Sequence, residues 1–170
     1  MGGWAVLELT LRWPERTRSL VLADTIAGIH SPEITAAYAA YRAQQAQKPT
    51  DPYLSMDGHA IIAADSAEKN MVRAFLYNQI GKAHGPVPAD ASQQLRATHY
   101  DMAQVSALNT PTLFIVGEHD AVFTPTMIRQ AAAFIPNAQV IEIPDADHSP
   151  YFETPERWNE AVRSFWESLA

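Results

Sequence analysis

Two residues of this 170-residue chain stand where acid–base chemistry could be done. Asp120 follows the apolar run Thr112-Leu113-Phe114-Ile115-Val116-Gly117, and His148, 28 positions later, follows a second run from Ala138 to Ile143. The first run lacks polar alternation and stops at a Gly, so it reads as a strand buried on both faces. Parallel strands carry their functional groups at the carboxyl end, in the crevice outside the sheet, which places both side chains at one rim. A carboxylate on one imidazole nitrogen fixes the tautomer and stabilises the imidazolium. The other nitrogen is then left as a general base.

Other groupings carry less. Glu118-His119-Asp120 with Asp145, Asp147 and His148 has the composition of a carboxylate–imidazole metal cluster, but the chain lacks the helix-borne His pairs common in zinc sites. With no Cys there is no thiolate nucleophile, disulfide or Cys-ligated zinc. No metal and no cofactor is expected. Asp57-Gly58-His59 and His84-Gly85-Pro86 read as turns. Tyr38, Tyr41, Met71, Phe75 and Tyr77 could line an apolar pocket, but their helical spacing favours helix packing.

The elements that must hold Asp120 and His148 follow from pattern and punctuation. At 47% hydrophobic and 18% charged residues the chain has the composition of one globular domain. A net charge of −7 without any Lys or Arg run would repel a phosphate backbone or an anionic membrane, so neither nucleic acid nor membrane is expected as a partner. The segment Met1-Gly2-Gly3-Trp4 has no basic stretch followed by an apolar core, and no apolar run approaches the ~18 residues of a membrane span, which points to a cytoplasmic protein.

Gly2 to Trp13 is dense enough in apolar residues for a buried helix ended by Pro14, and Leu20-Val21-Leu22-Ala23 reads as the first strand, closed by Asp24. From Ile26 to Ser106 the texture is helical, with no run resembling a buried strand. Ser31-Pro32-Glu33 opens a helix to about Gln47, Asp65 and Glu68 suggest a capping box before Met71, and a third helix is expected over Ala91 to Gln104. After the Thr112 strand, Thr124-Pro125 starts a helix through Phe134. Thr154-Pro155-Glu156 starts the last one, with Trp158, Val162, Phe165 and Leu169 on its inner face. Strands alternating with helices build a parallel sheet.

Four segments in this order resemble a known family. Gly117-Glu118-His119-Asp120 and Asp147-His148-Ser149-Pro150-Tyr151-Phe152-Glu153 are similar to the acid and histidine segments of α/β-hydrolases, and Pro14-Glu15-Arg16 ahead of Leu20-Val21-Leu22 is similar to their passage behind the nucleophile. The resemblance implies an α/β fold, a three-stranded parallel sheet with flanking helices that forms the carboxyl-terminal part of an α/β-hydrolase. Residues 1–28 and 106–170 would be the core and residues 29–105 an inserted helical cap. It implies esterase- or lipase-like chemistry on a small ester-like molecule, with Asp120 and His148 as acid and base of a Ser-His-Asp mechanism. Ester, lactone, amide and carbon–carbon bonds all remain open as targets.

The nucleophile is where the chain departs from the family. Met1-Gly2-Gly3 matches only the part of the Gly-x-Ser-x-Gly elbow beyond the serine, and no Ser in the chain, Ser55 included, has Gly both two places before and two places after. The oxyanion-hole N–H that follows the nucleophile would belong to Met1, and the second donor comes from an earlier loop with no counterpart here. The expectation is an acid and base half of a triad that is inactive alone. The alternatives are a non-catalytic binding or assembly module, or one half of a split hydrolase. The strand at Leu20–Ala23 would lack its outer neighbour, and Trp4, Leu7 and Leu11 would lose packing. Self-association or pairing with an amino-terminal half is therefore expected. Asp147 stands where the family usually has Gly, and Asp tolerates left-handed backbone better than most residues.

Overall fold

The computed structural model describes residues 2–45, 55–56, 59–60, 66–69, 71–83, 90–98 and 100–170. Helix α1 (Gly2–Arg12) leads through a short 3-10 turn at Pro14–Arg16 into strand β1 (Leu20–Ala23). Pro14 has no N–H with which to continue α1, and Thr17 N–H donates back to Pro14 O, so the chain leaves the helix in one turn. Next come helix α2 (Pro32–Gln45), a two-residue antiparallel ladder of β2 (Ser55–Met56) with β3 (His59–Ala60), and helices α3 (Ser66–Lys69), α4 (Met71–Ala83), α5 (Ala91–Ala97) and α6 (Met102–Ser106). The chain closes with β4 (Thr112–Gly117), α7 (Pro125–Ala132), β5 (Gln139–Ile143), α8 (Pro150–Glu153) and α9 (Pro155–Glu167).

The long strands form one parallel sheet in the order β1-β4-β5. Leu20 to Ala23 lie opposite Thr112 to Ile115, and Leu113 to Gly117 lie opposite Gln139 to Ile143. Every residue of β4 is buried, as a central parallel strand requires. Its alternation divides the core. Phe114 and Val116 join Leu22, Leu7, Met127 and Ile128 on the face covered by α1 and α7, whereas Leu113 and Ile115 join Ile143, Val162 and Phe165 on the face covered by α9. A truncation such as Phe114→Ala would open a cavity between two packed layers, at a cost of about 3–5 kcal/mol.

Local signals account for most boundaries. Ser31 Oγ accepts from Ile34 N–H at 3.2 Å at the start of α2, and Thr124 Oγ1 accepts from Met127 N–H at 3.4 Å at the start of α7. Two expectations are corrected, the helix over Ala91 to Gln104 and the place of Leu169. The helix expected over Ala91 to Gln104 is two helices, because Asp101 caps α6 by accepting from Ala103 N–H at 2.9 Å, and Tyr100 leaves the helical path to donate to Trp4 O at 3.0 Å. α9 starts at Thr154-Pro155 as expected, although without a side-chain cap, since the Thr154 hydroxyl donates to Pro150 O. Leu169 lies beyond α9 and is 39% exposed. The β2–β3 ladder flanks the expected turn at Asp57-Gly58 and is too short to show strand alternation. Asp65 of the expected capping box, His84, Asp57-Gly58 and Met1 all lie outside the described residues.

Candidate active site

Two turns at the carboxyl end of the sheet are sewn together before any side chain meets. Beyond β4, Glu118 N–H donates to Ile143 O at 3.0 Å and His119 N–H to Ala146 O at 2.9 Å, while Asp120 N–H folds back to Gly117 O at 3.0 Å. Gly117 permits this approach, since a Cβ there would fall 1.9 Å from Asp147 O. The left-handed residue of the second turn is Asp145 (φ 59), not Asp147. Asp145 is exposed, and its hydrogen bond to Arg157 holds its carboxyl below the usual range. Asp147 N–H donates to Glu153 Oε2 at 2.7 Å, which ties the histidine turn to α8.

These turns bring Asp120 and His148 into contact. Asp120 is 2% exposed; its Oδ1 accepts from Val122 N–H at 2.7 Å and Phe123 N–H at 3.0 Å, and its Oδ2 lies 2.9 Å from His148 Nδ1. A carboxylate held by two backbone donors is a pure acceptor, so Nδ1 carries the hydrogen and Nε2 carries the lone pair. The imidazole is 20% exposed, open enough to meet a reactant. Glu118 and His119, also in the sequence motif, are exposed and point to solvent. Among the described residues no group of three or more His, Asp or Glu side chains is placed to hold a metal.

Sequence reasoning missed a second carboxyl at this rim. Asp24 ends β1 in left-handed conformation (φ 50), with its N–H on Ile115 O at 2.8 Å and its Oδ1 accepting from Gly117 N–H at 3.2 Å. Its Oδ2 is buried without a hydrogen-bond partner. Burial, and next the nearby charge of Asp120, push this carboxyl up to about 9, so it is a neutral acid at pH 7.

Helices from the middle of the chain reach the same rim. Tyr77 of α4 places its hydroxyl 2.8 Å from Ser149 Oγ and its ring edge-on to Phe152, and burial raises the phenol above its usual range. Arg73, one turn earlier, donates to Glu153 O at 2.6 Å. Tyr38 of α2 stacks on Phe123, with ring centroids 5.5 Å apart and planes 13° from parallel. Tyr38 lines an apolar cavity and Tyr41 is buried, whereas Met71 and Phe75 are exposed at 74% and 63%. The five residues therefore do not form one stripe.

The sequence profile of the alpha/beta hydrolase fold matches residues 1–155. The sn-1-specific diacylglycerol lipase ABHD11 of Mus musculus is 25% identical over 97% of this chain and 56% of its own length. Protein ABHD14A of Homo sapiens is 29% identical over 65% of this chain and 40% of its own length. Among solved structures, an esterase from Thermogutta terrifontis superposes with a TM-score of 0.74 at 24% identity, covering 99% of this chain and 62% of that one. The enol-lactonase from Burkholderia xenovorans LB400 reaches 0.69 at 25% identity, over 98% of this chain and 63% of that one. The chain spans less than two thirds of the length of each of these relatives. Among the described residues no helix is long and apolar enough to cross a membrane. With the profile matched over residues 1–155 and a parallel sheet of the same design, the chain belongs to the α/β-hydrolase fold family.

Proposed function

We propose that residues 1–170 supply the acid and the base of an acyl-transfer site acting on a small ester-like molecule. The observation that carries this reading is the 2.9 Å contact between His148 Nδ1 and Asp120 Oδ2 at the carboxyl end of two neighbouring strands. His148 Nε2 takes the hydroxyl proton of a serine as the serine oxygen bonds to the substrate carbonyl carbon, and Asp120 stabilises the imidazolium that forms. The proton then passes to the leaving alcohol as the carbonyl–oxygen bond breaks. Water repeats the sequence to release the acid. Residues 29–105 serve as the cap over this site, supported by the contacts of Tyr77 and Arg73 with the turns around His148. The reading keeps a cytoplasmic protein.

The serine and the oxyanion-hole loop come, in this proposal, from a polypeptide segment outside these 170 residues. No Ser here sits in a Gly-x-Ser-x-Gly elbow. Among the described residues β1 pairs only with β4, and next to that free edge α1 exposes Val6, Leu9 and Trp13 at 41%, 48% and 46%. The residues expected to lose packing were different ones. Leu7 is fully buried in the core with Leu11 packed against it, and Trp4 is partly buried against Gly28 and Tyr100, whereas Val6, Leu9 and Trp13 are exposed. A free parallel edge beside an apolar helix face suits either a second copy or an amino-terminal half that adds a strand.

The test has two arms. The chain alone should turn over a nitrophenyl ester no faster than a control protein, because the ~10³- to 10⁴-fold activity left after loss of a triad member depends on the oxyanion hole and substrate binding. Joined to a segment bearing Gly-x-Ser-x-Gly, it should gain turnover that a serine-directed phosphonate abolishes and that His148→Ala lowers by about 10³-fold or more. Phosphonate-sensitive turnover by the chain alone, or a joined protein indifferent to His148→Ala, contradicts the proposal. Light scattering should show association that Val21→Lys reduces, and a monodisperse monomer would remove the partner from the reading.

A further inference from the structure

Asp120 positions more than His148. Its Oδ1 also accepts from Phe123 N–H at 3.0 Å, and the Phe123 ring lies 5.9 Å from the imidazole, centroid to centroid. On its other side Phe123 borders a cavity of about 270 Å³ that runs under α2. Ile26, Ile29 and Ile34 form part of its wall, Tyr38 stacks on Phe123, and the Trp4 indole is another part. That indole fits because Gly28, at φ 82, has no Cβ; one would fall 2.5 Å from Trp4 Nε1 and 2.9 Å from the Tyr100 ring. The Tyr100 hydroxyl, on Trp4 O at 3.0 Å, fixes the same corner.

The lining decides the ligand. No Lys, Arg, Asp or Glu is among the residues around the cavity, whose polar groups are His30, Thr35, Thr98, the Tyr38 hydroxyl and the Trp4 indole N–H. An ammonium group entering it would be desolvated with no carboxylate beside it, and a carboxylate would find only the His30 imidazole, whose Nδ1 is already held by Gly28 O, so either charge is disfavoured against apolar carbon. The flat Phe123 and Tyr38 rings and the three Ile side chains favour apolar carbon instead. An apolar cavity of ~150 Å³ holds benzene, so one of 270 Å³ accommodates roughly ten carbon atoms. We infer that this cavity is the acyl pocket of the His148 site and takes an uncharged, apolar acyl group of about ten carbon atoms. The acyl assignment rests on the acyl-transfer reading, because Phe123 joins the cavity to the imidazole. The ligand class rests on the lining alone.

Binding can be read on the chain as it stands, without a nucleophile. Methyl phenylacetate supplies an aryl probe, methyl octanoate an alkyl probe and monomethyl succinate a charged one. Followed by NMR at the Ile29 and Ile34 methyls and the Trp4 indole N–H, the first two should shift these signals on titration and the succinate should not. The stronger of the two distinguishes an aryl from an alkyl acyl group. Thr35, exposed on α2 at the cavity rim, offers a way to fill the space with little disturbance of the core. Thr35→Trp should weaken binding by about tenfold or more while the His148 ring signals stay unchanged, and Ile34→Ala should favour the longer acyl group. Equal binding of the charged ester, unchanged affinity in both variants, or no saturable binding of either apolar ester overturns the inference. In the joined protein, apolar binding without turnover would remove acyl transfer and leave the ligand class standing. Turnover with no preference for apolar acyl groups would remove the pocket assignment and leave acyl transfer standing.

Discussion

Asp24 and Asp120 end neighbouring parallel strands at nearly the same depth, 5% and 2% exposed, but their surroundings differ. Asp120 has three partners: two backbone N–H groups on Oδ1 and the imidazole on Oδ2. Asp24 has one, Gly117 N–H at 3.2 Å, and an Oδ2 with none. Depth is shared, so what separates the two is the number of donors aimed at each, and at Asp24 burial with a single donor favours the neutral acid. Asp120 in turn helps to hold the proton on Asp24, since its charge is the second largest cause of the rise to about 9.

The largest effect is expected from removing the well-partnered acid. Asp120→Ala leaves Val122 and Phe123 with buried N–H groups that have lost their acceptor, each costing ~1–3 kcal/mol, so urea unfolding should show a loss of roughly 3–5 kcal/mol. A loss under ~1 kcal/mol would mean that this turn finds other acceptors and that the contrast between the two carboxyls is overstated.

Asp24→Asn should act in the opposite direction. Folded Asp24 keeps its proton up to about pH 9, whereas an unfolded Asp loses its proton near pH 4. Across that window the folded state binds the extra proton, so this residue lowers stability progressively as pH rises from about 4 to about 9. Asn keeps an acceptor for Gly117 N–H without the charge. The variant should have a flatter stability profile and be more stable than the parent by about 2 kcal/mol at pH 8. An unchanged slope would show that Asp24 is ionised in the folded protein.

A smaller effect is expected at Tyr77. Tyr77→Phe removes the hydroxyl facing Ser149 but keeps the ring against Phe152, so it should cost about 1 kcal/mol and speed hydrogen exchange at the start of α8. No change in exchange there would mean that α4 lies beside the histidine turn without restraining it.

How much of this was legible in the sequence follows from the range of each interaction. The strand at Leu20–Ala23 and the one starting at Thr112 were readable because burial on a sheet imposes a pattern on neighbouring residues. Asp120 and His148 were readable because strand ends are local and the parallel sheet aligns them. The break between α5 and α6 was hidden, since it depends on Tyr100 reaching Trp4, 96 positions away. The contact of Tyr77 with Ser149 spans 72 positions and has no local signal. Asp24 was visible only as the residue that ends a strand. Its protonation depends on donors and charges delivered by β4, of which Asp-Thr-Ile carries no trace.

The most direct test is the ring of His148 itself, labelled with nitrogen-15 and observed in its neutral form. Pairing with Asp120 requires one tautomer, with hydrogen on Nδ1 and a bare Nε2 facing the site. A free neutral imidazole prefers the reverse. The account predicts a protonated Nδ1 signal with a proton-coupled resonance and a pyridine-like Nε2, lost together in Asp120→Asn. A ring with hydrogen mainly on Nε2 in the parent protein would contradict it, because His148 could then not serve as the base that Asp120 holds in place.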